Sequence, residues 1–112
     1  MEITQIQHGD LLVVNLNGRL DAHTAKSFEE RLIPLIDQGN KRILADFSKL
    51  DYISSAGLRV LLMAARKLDD AGGKIALCGL KTPIKTVFDI AGFSSIFPIF
   101  SSRQEAITDF TK

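Results

Sequence analysis

Two periodicities alternate along the chain, and that alternation constrains its fold more than any other feature. Apolar runs of strand length occur at LLVVNL (Leu11–Leu16), RILADF (Arg42–Phe47) and KIALCGL (Lys74–Leu80). Between them, apolar residues recur every three or four positions. A short run of β-formers is the pattern of a buried strand, whereas a 3.6-residue repeat marks a helix with one buried face. Strands that alternate with helices run parallel, because each helix carries the chain back to where the next strand begins.

The first helical pattern spans Ala22 to Asp37, with Ala25, Phe28, Leu32, Leu35 and Ile36 on its apolar side. Asp21 or Thr24 can cap its start by accepting a free backbone N–H. Pro34 lies inside the pattern and is expected to remove one backbone bond and kink the last turn. In the second pattern Leu58, Leu61, Leu62, Ala65 and Leu68 mark the core side, and Gly72 and Gly73 close the helix. TPIKTVFDIAG predicts a third helix with Thr82 as cap, Pro83 at the first helical position and Gly92 as stop. IFPIF predicts a short last strand that Pro98 confines to an edge. Ser102 and Glu105 then fit a capping box that opens a final short helix. At the other end, Glu2 to Gln7 and LLVVNL flank a turn at Gly9 and predict a hairpin, after which NGRLD is expected to turn the chain. The predicted order is β-β-α-β-α-β-α-β-α, an α/β fold with a mixed sheet in one domain over residues 1–112.

Composition narrows the function. In 112 residues, 46% are apolar and 24% charged, with a formal net charge of +1. That balance suits one modest core and gives no reason to expect nucleic acid or an anionic membrane as partner. No apolar run approaches the ~20 residues of a membrane span. The polar opening MEITQIQHGD does not resemble a secretory leader. Cys78, the single cysteine, lies in an apolar run and reads as a buried, inert thiol. A cytoplasmic, reducing setting is expected. Two histidines, one cysteine and dispersed carboxylates offer no metal-ligand spacing, and no cofactor motif is present.

The informative stretch is DYISSAGLRVLL, Asp51 to Leu62. Ser54 and Ser55 stand where a strand gives way to a helix. Capping is the ordinary account of serine there, but the same position also favours an anion. Asp51 is expected in the turn before the helix. Ser55, Arg59, Met63 and Arg66 fall on a stripe away from the core side, with Val60 and Met63 expected to face water as part of a docking surface. A hydrolase elbow would need G-x-S-x-G and a base. Here Ile53 stands in place of the first glycine, and neither His8 nor His23 follows the serine. DDAGGKI lacks the final Ser/Thr of a phosphate loop and lies between helix and strand, in the wrong order.

Three blocks in order resemble the STAS domain, in particular bacterial anti-sigma factor antagonists. They are LNGRLDAHTAKSFEERL, ADFSKLDYISSAGLRVLL and AGGKIALCGLKTPIKTVFDIAGF. The resemblance implies a regulator with no enzymatic activity of its own. Its unphosphorylated form would bind an anti-sigma factor that is also a serine kinase and so release a sigma factor. Phosphorylation of a serine two residues before Gly-Leu would dissociate the complex, and a PP2C-type phosphatase would reset it. Gly57 and Leu58 set that register on Ser55. Ser54 remains an alternative acceptor, because many members carry Asp just before the acceptor, and Ser or Thr where this chain has Ala56. Asp21 matches a family position near the kinase contact. The implied partner surface comprises Asp21, Ser54, Ser55, Arg59 and Met63. An interaction subunit of a transport, secretion or signalling assembly, with no phosphorylation, is the alternative.

Overall fold

The computed structural model describes residues 1–110. The elements are β1 (Glu2–His8), β2 (Leu11–Leu20), α1 (Ala22–Asp37), β3 (Arg42–Ile53), α2 (Ser55–Asp70), β4 (Lys74–Cys78), α3 (Thr82–Ile90), a 3-10 turn (Phe93–Ser95), β5 (Ile99–Phe100) and α4 (Arg103–Phe110). The strands lie side by side in sequence order. β1 is antiparallel to β2, and every later neighbour is parallel. The sheet is therefore mixed, as the hairpin followed by α/β alternation requires.

Strand side chains alternate between faces, and the two faces have different covers. Leu12, Val14 and Leu16 of β2, Ile43, Ala45 and Phe47 of β3, and Ile75 and Leu77 of β4 form one core with α1, α2 and α3. Phe88 of α3 meets Phe47, Phe93 and Phe97 edge-on there, with ring centroids 6.0 to 6.2 Å apart. The intervening residues Leu11, Val13, Leu44, Ala76 and Cys78 form a second, smaller cluster with Ala106 of α4.

A buried charge fastens α4 to that second face. Arg103 donates from both Nε and Nη2 to Asp46 Oδ2 at 2.9 Å, and also donates to Asn15. The Ser48 N–H donates to Asp46 Oδ1 at 2.9 Å. Burial pushes the Asp46 carboxyl up, but the Ser48 and Arg103 hydrogen bonds outweigh it and hold the group below the usual carboxylate range. Cys78 is fully buried beside it. Burial first, and the Asp46 charge second, push that thiol up to about 12.

Several local expectations are corrected. β2 does not turn at NGRLD but continues to Leu20, and β3 continues past Phe47 to Ile53, so Asp51 is in a strand and not a turn. The strands pair with each other as far as Leu20 and Ile53, across register shifts between Asn15 and Asn17 and between Gly18 and Arg19. Those bulges break the period of two that marks a strand in sequence. Thr82 is inside α3: the cap position is Lys81, which makes no side-chain cap bond, and Pro83 sits one place further into the first turn. The Ser102 hydroxyl accepts the Glu105 N–H at 3.1 Å as expected, but the Glu105 carboxylate accepts from the Ser101 hydroxyl. β4 ends at Cys78, before Gly79 at φ +69°.

Asp46 titrates lower in the folded chain than in the unfolded one. Its contribution to stability is therefore present above the unfolded carboxylate pKa of about 4 and is lost as pH falls through the lower folded value. Arg103→Met should destabilise the domain by about 2 kcal/mol at neutral pH. The difference from wild type should shrink in acid as Asp46 is protonated. Urea titrations between neutral and acidic pH measure both, and a difference that persists undiminished in acid would assign the loss to packing of α4 instead.

Candidate functional site

The site begins where β2 and β3 end together. Leu20 is opposite Ile53, and the Ser54 N–H donates to the Leu20 carbonyl at 2.8 Å. Each strand is followed by the cap of a helix, so the starts of α1 and α2 lie side by side at one end of the sheet. Free N–H groups gather at such starts and need acceptors.

At the first start, Asp21 and Thr24 share the capping. Asp21 Oδ1 accepts the N–H groups of His23 and Thr24, both at 3.0 Å, and the Asp21 N–H donates to Thr24 Oγ1 at 2.9 Å. The Thr24 hydroxyl also donates to the Arg19 carbonyl at 2.7 Å. The Thr24 N–H is the main cause that holds the half-buried Asp21 carboxyl below its usual range.

At the second start, the two serines separate into different roles. Ser54 has extended backbone, and its Oγ accepts the Gly57 N–H at 3.2 Å, which makes it the cap. Ser55 is the first helical residue and is exposed. Its hydroxyl makes no hydrogen bond among the described residues. Gly57 permits the arrangement: a Cβ there would lie 2.6 Å from Leu20 Cγ and 2.9 Å from Leu20 Cδ2. Only a residue without Cβ lets the first turn of α2 rest directly on the buried end of β2.

Ser55, Arg59 and Met63 follow at intervals of four residues and are exposed, Met63 to 39%. Arg66 is exposed as well. They therefore line one solvent face of α2, with Asp21 and Ser54 beside its start. Val60 does not belong to that face: it is buried at 4% exposure. α2 packs on α1 as well as on the sheet, so its buried arc takes in Val60 and Ala64, while Leu62 and Ala65 on the other side are half-buried. The arrangement is a surface and not a cleft. The sheet-face cavity bounded by Asn15, Asp46 and Arg103 lies elsewhere, and the groove beside Leu62 and Phe97 meets the stripe only at Arg66.

Arg19 and Tyr52, which no sequence pattern marks, flank this end of the sheet. They pair across β2 and β3, with the guanidinium 4.3 Å from the ring centroid. Next to Tyr52, Asp51 forms an ion pair with Lys81 at the start of α3. The chain offers no one-dimensional signal for the Arg19–Tyr52 contact, because the register that creates it follows a bulge.

The STAS domain pattern matches residues 2–106, and the chain belongs to the STAS domain family. It is 40% identical over 110 residues to BtrV of Bordetella bronchiseptica, a proposed anti-sigma factor antagonist, covering 98% of this chain and 95% of that protein. It is 31% identical over 103 residues to the anti-sigma-B factor antagonist of Bacillus subtilis, covering 90% and 92%. Among solved structures, a Thermotoga maritima protein proposed as an anti-sigma factor antagonist superposes with a TM-score of 0.94 at 19% identity, covering 98% of this chain and 95% of that one. The phosphorylated form of the Bacillus cell fate determinant SpoIIAA superposes with a TM-score of 0.77 at 23% identity, covering 96% and 97%. These two share the fold.

The geometry assigns different stability costs to adjacent residues. Gly57→Ala should cost about 1–3 kcal/mol through overpacking against Leu20. Ser54→Ala should cost about 1 kcal/mol as a lost cap. Ser55→Ala should stay within about 0.5 kcal/mol of wild type. Chemical denaturation of the three variants gives the ranking, and a Ser55→Ala loss as large as that of Ser54→Ala would contradict the division between the serines.

Proposed function

We propose that this chain is an anti-sigma factor antagonist that works by partner switching, with Ser55 as its phosphorylation site. The observation that carries the reading is the division between the serines. Ser54 is engaged as a cap through the Gly57 N–H, whereas Ser55 presents an exposed hydroxyl one residue later. The names of the BtrV and Bacillus subtilis relatives support the same role.

In this mechanism the unmodified domain docks on an anti-sigma factor that is also a serine kinase, and the sigma factor is released. Asp21, Ser54, Ser55, Arg59 and Met63 form the docking face. The partner transfers phosphate from ATP to the Ser55 hydroxyl, so the domain is the substrate of that reaction and not its catalyst. Phosphate adds about −1.5 to −2 charges at neutral pH. Under a docked partner that charge must lose water, which opposes binding. In the free domain it stays solvated beside the unpaired N–H groups of the helix start, which favour an anion. Affinity changes while the fold persists. A PP2C-type phosphatase restores the hydroxyl. The reading places the protein in the cytoplasm.

Incubation with ATP and the serine kinase recovered from the native host, followed by phosphopeptide mass spectrometry, tests the acceptor. Ser54→Ala should still be labelled and Ser55→Ala should not. Calorimetric titration should then rank affinity as unmodified, Ser55→Asp, and phosphoserine, in falling order, with circular dichroism unchanged. Met63→Glu should weaken binding with little change in thermal stability. Phosphate mapped to Ser54, or equal affinity of the modified and unmodified forms, would refute the mechanism.

A further inference from the structure

The exposed charges of α2 leave one cation, a turn past the helix start, without an anionic partner. Its first turn contains no acidic residue, Arg59 follows one turn after Ser55, and Asp69 and Asp70 close the helix. Cations near a helix start and carboxylates near its end are each unfavourable. Lys67, the basic residue of the last turn, is paired with Asp37 of α1 at 2.9 Å. Arg59 has no such compensation. Among the described residues its side chain makes no hydrogen bond and no ion pair.

We propose that Arg59 is the intramolecular counter-ion of phosphoserine at position 55. This deepens the reading of Ser55 as the acceptor and rests on it. Residues four apart on a helix have Cβ atoms about 5–6 Å apart, and an acidic group N-terminal to a basic one is the favoured order. A guanidinium also presents a planar fork of donors that matches phosphate oxygens. Modification then acts twice on the docking face: it adds an anion, and it ties up an exposed cation otherwise available to a partner's carboxylate. Three other charged groups near this end of the sheet are engaged. The Asp21 carboxylate accepts from its own helix, Arg19 lies over the Tyr52 ring, and Asp51 is paired with Lys81. His23 lies in the first turn of α1, where its N–H donates to Asp21.

The test uses the full chain with phosphoserine installed at Ser55 during translation, so no kinase is needed. A His23→Gln background removes the imidazole. Phosphorus NMR then follows the second ionisation of the phosphate. Pairing with Arg59 favours the dianion, so Arg59→Gln should raise that pKa by about 0.3 or more. Arg59→Lys should raise it less, and Arg66→Gln, two turns further on, should leave it unchanged. The wild-type phosphate pKa should also lie below that of a short phosphoserine peptide in the same buffer, and the gap should narrow in 1 M salt, which screens an exposed pair. That measurement needs no Arg59 variant to fold. The same phosphate pKa in the Arg59→Gln and Arg59 proteins, or a gap to the peptide that salt does not narrow, would overturn the pairing. Phosphopeptide mapping to another residue would refute Ser55 as acceptor while leaving the measured pairing intact, so the two failures are distinguishable.

Discussion

Past Asp46, β3 has lost β4 as a neighbour and is paired with β2 alone, and the site depends on that two-stranded extension. A backbone that leaves the sheet must still satisfy its N–H and C=O groups. β2 and β3 do so for each other as far as Leu20 and Ile53, and the Leu20 carbonyl then accepts the Ser54 N–H. The strands are parallel, so both end in the same direction and both open a helix there. Gly57 completes the arrangement by letting α2 settle on the Leu20 side chain. Two helix starts become neighbours without any contact between their cap side chains being required.

Within that frame the order Ser-Ser-Ala-Gly has a physical logic. A cap must sit outside the helix with extended backbone, so that its hydroxyl can turn back to an N–H three residues on. Ser54 does this toward Gly57. The next residue already has helical backbone and points its side chain outward, which leaves Ser55 exposed. Local stability is thus supplied by one serine and accessibility by the other. A modification at Ser55 can therefore change the surface without removing the bond that starts α2.

Much of this fold can be read directly from the sequence, and the parts that cannot share a cause. The bounds of α1 follow from its repeat and from Asp21, because both act within a few residues. The hairpin at Gly9 and the edge position of β5 are equally local. The ends of β2 and β3 are not legible, because bulges place Leu16, Leu20, Leu50 and Ile53 at spacings of three and four in the midst of strands. Helical periodicity alone puts Val60 outside, since it locates a buried centre but not how far packing against α1 widens it. The placement of Ser55 near a helix start is legible from the leucine repeat that follows it. Which of the two serines is the cap is not, because either could reach a free N–H until the backbone conformation of Ser54 is known.

The sheet also separates two electrostatic systems. Asp46, Asn15 and Arg103 lie on the face covered by α4, where burial makes every donor count and the carboxylate is held by three of them. Arg59 and Ser55 lie beyond the opposite face, on the outer side of α2, in water. A charge added at Ser55 is screened within about 10 Å at ordinary ionic strength, and the packed core of the first cluster intervenes. The buried system therefore holds α4 on the sheet, and the exposed one leaves the outer face of α2 in water. Neither needs to move for the other to change. On the proposed mechanism, a switch confined to a solvated helix face suits such a domain, because the free energy that would distinguish its two states is developed at the partner surface and not within the core.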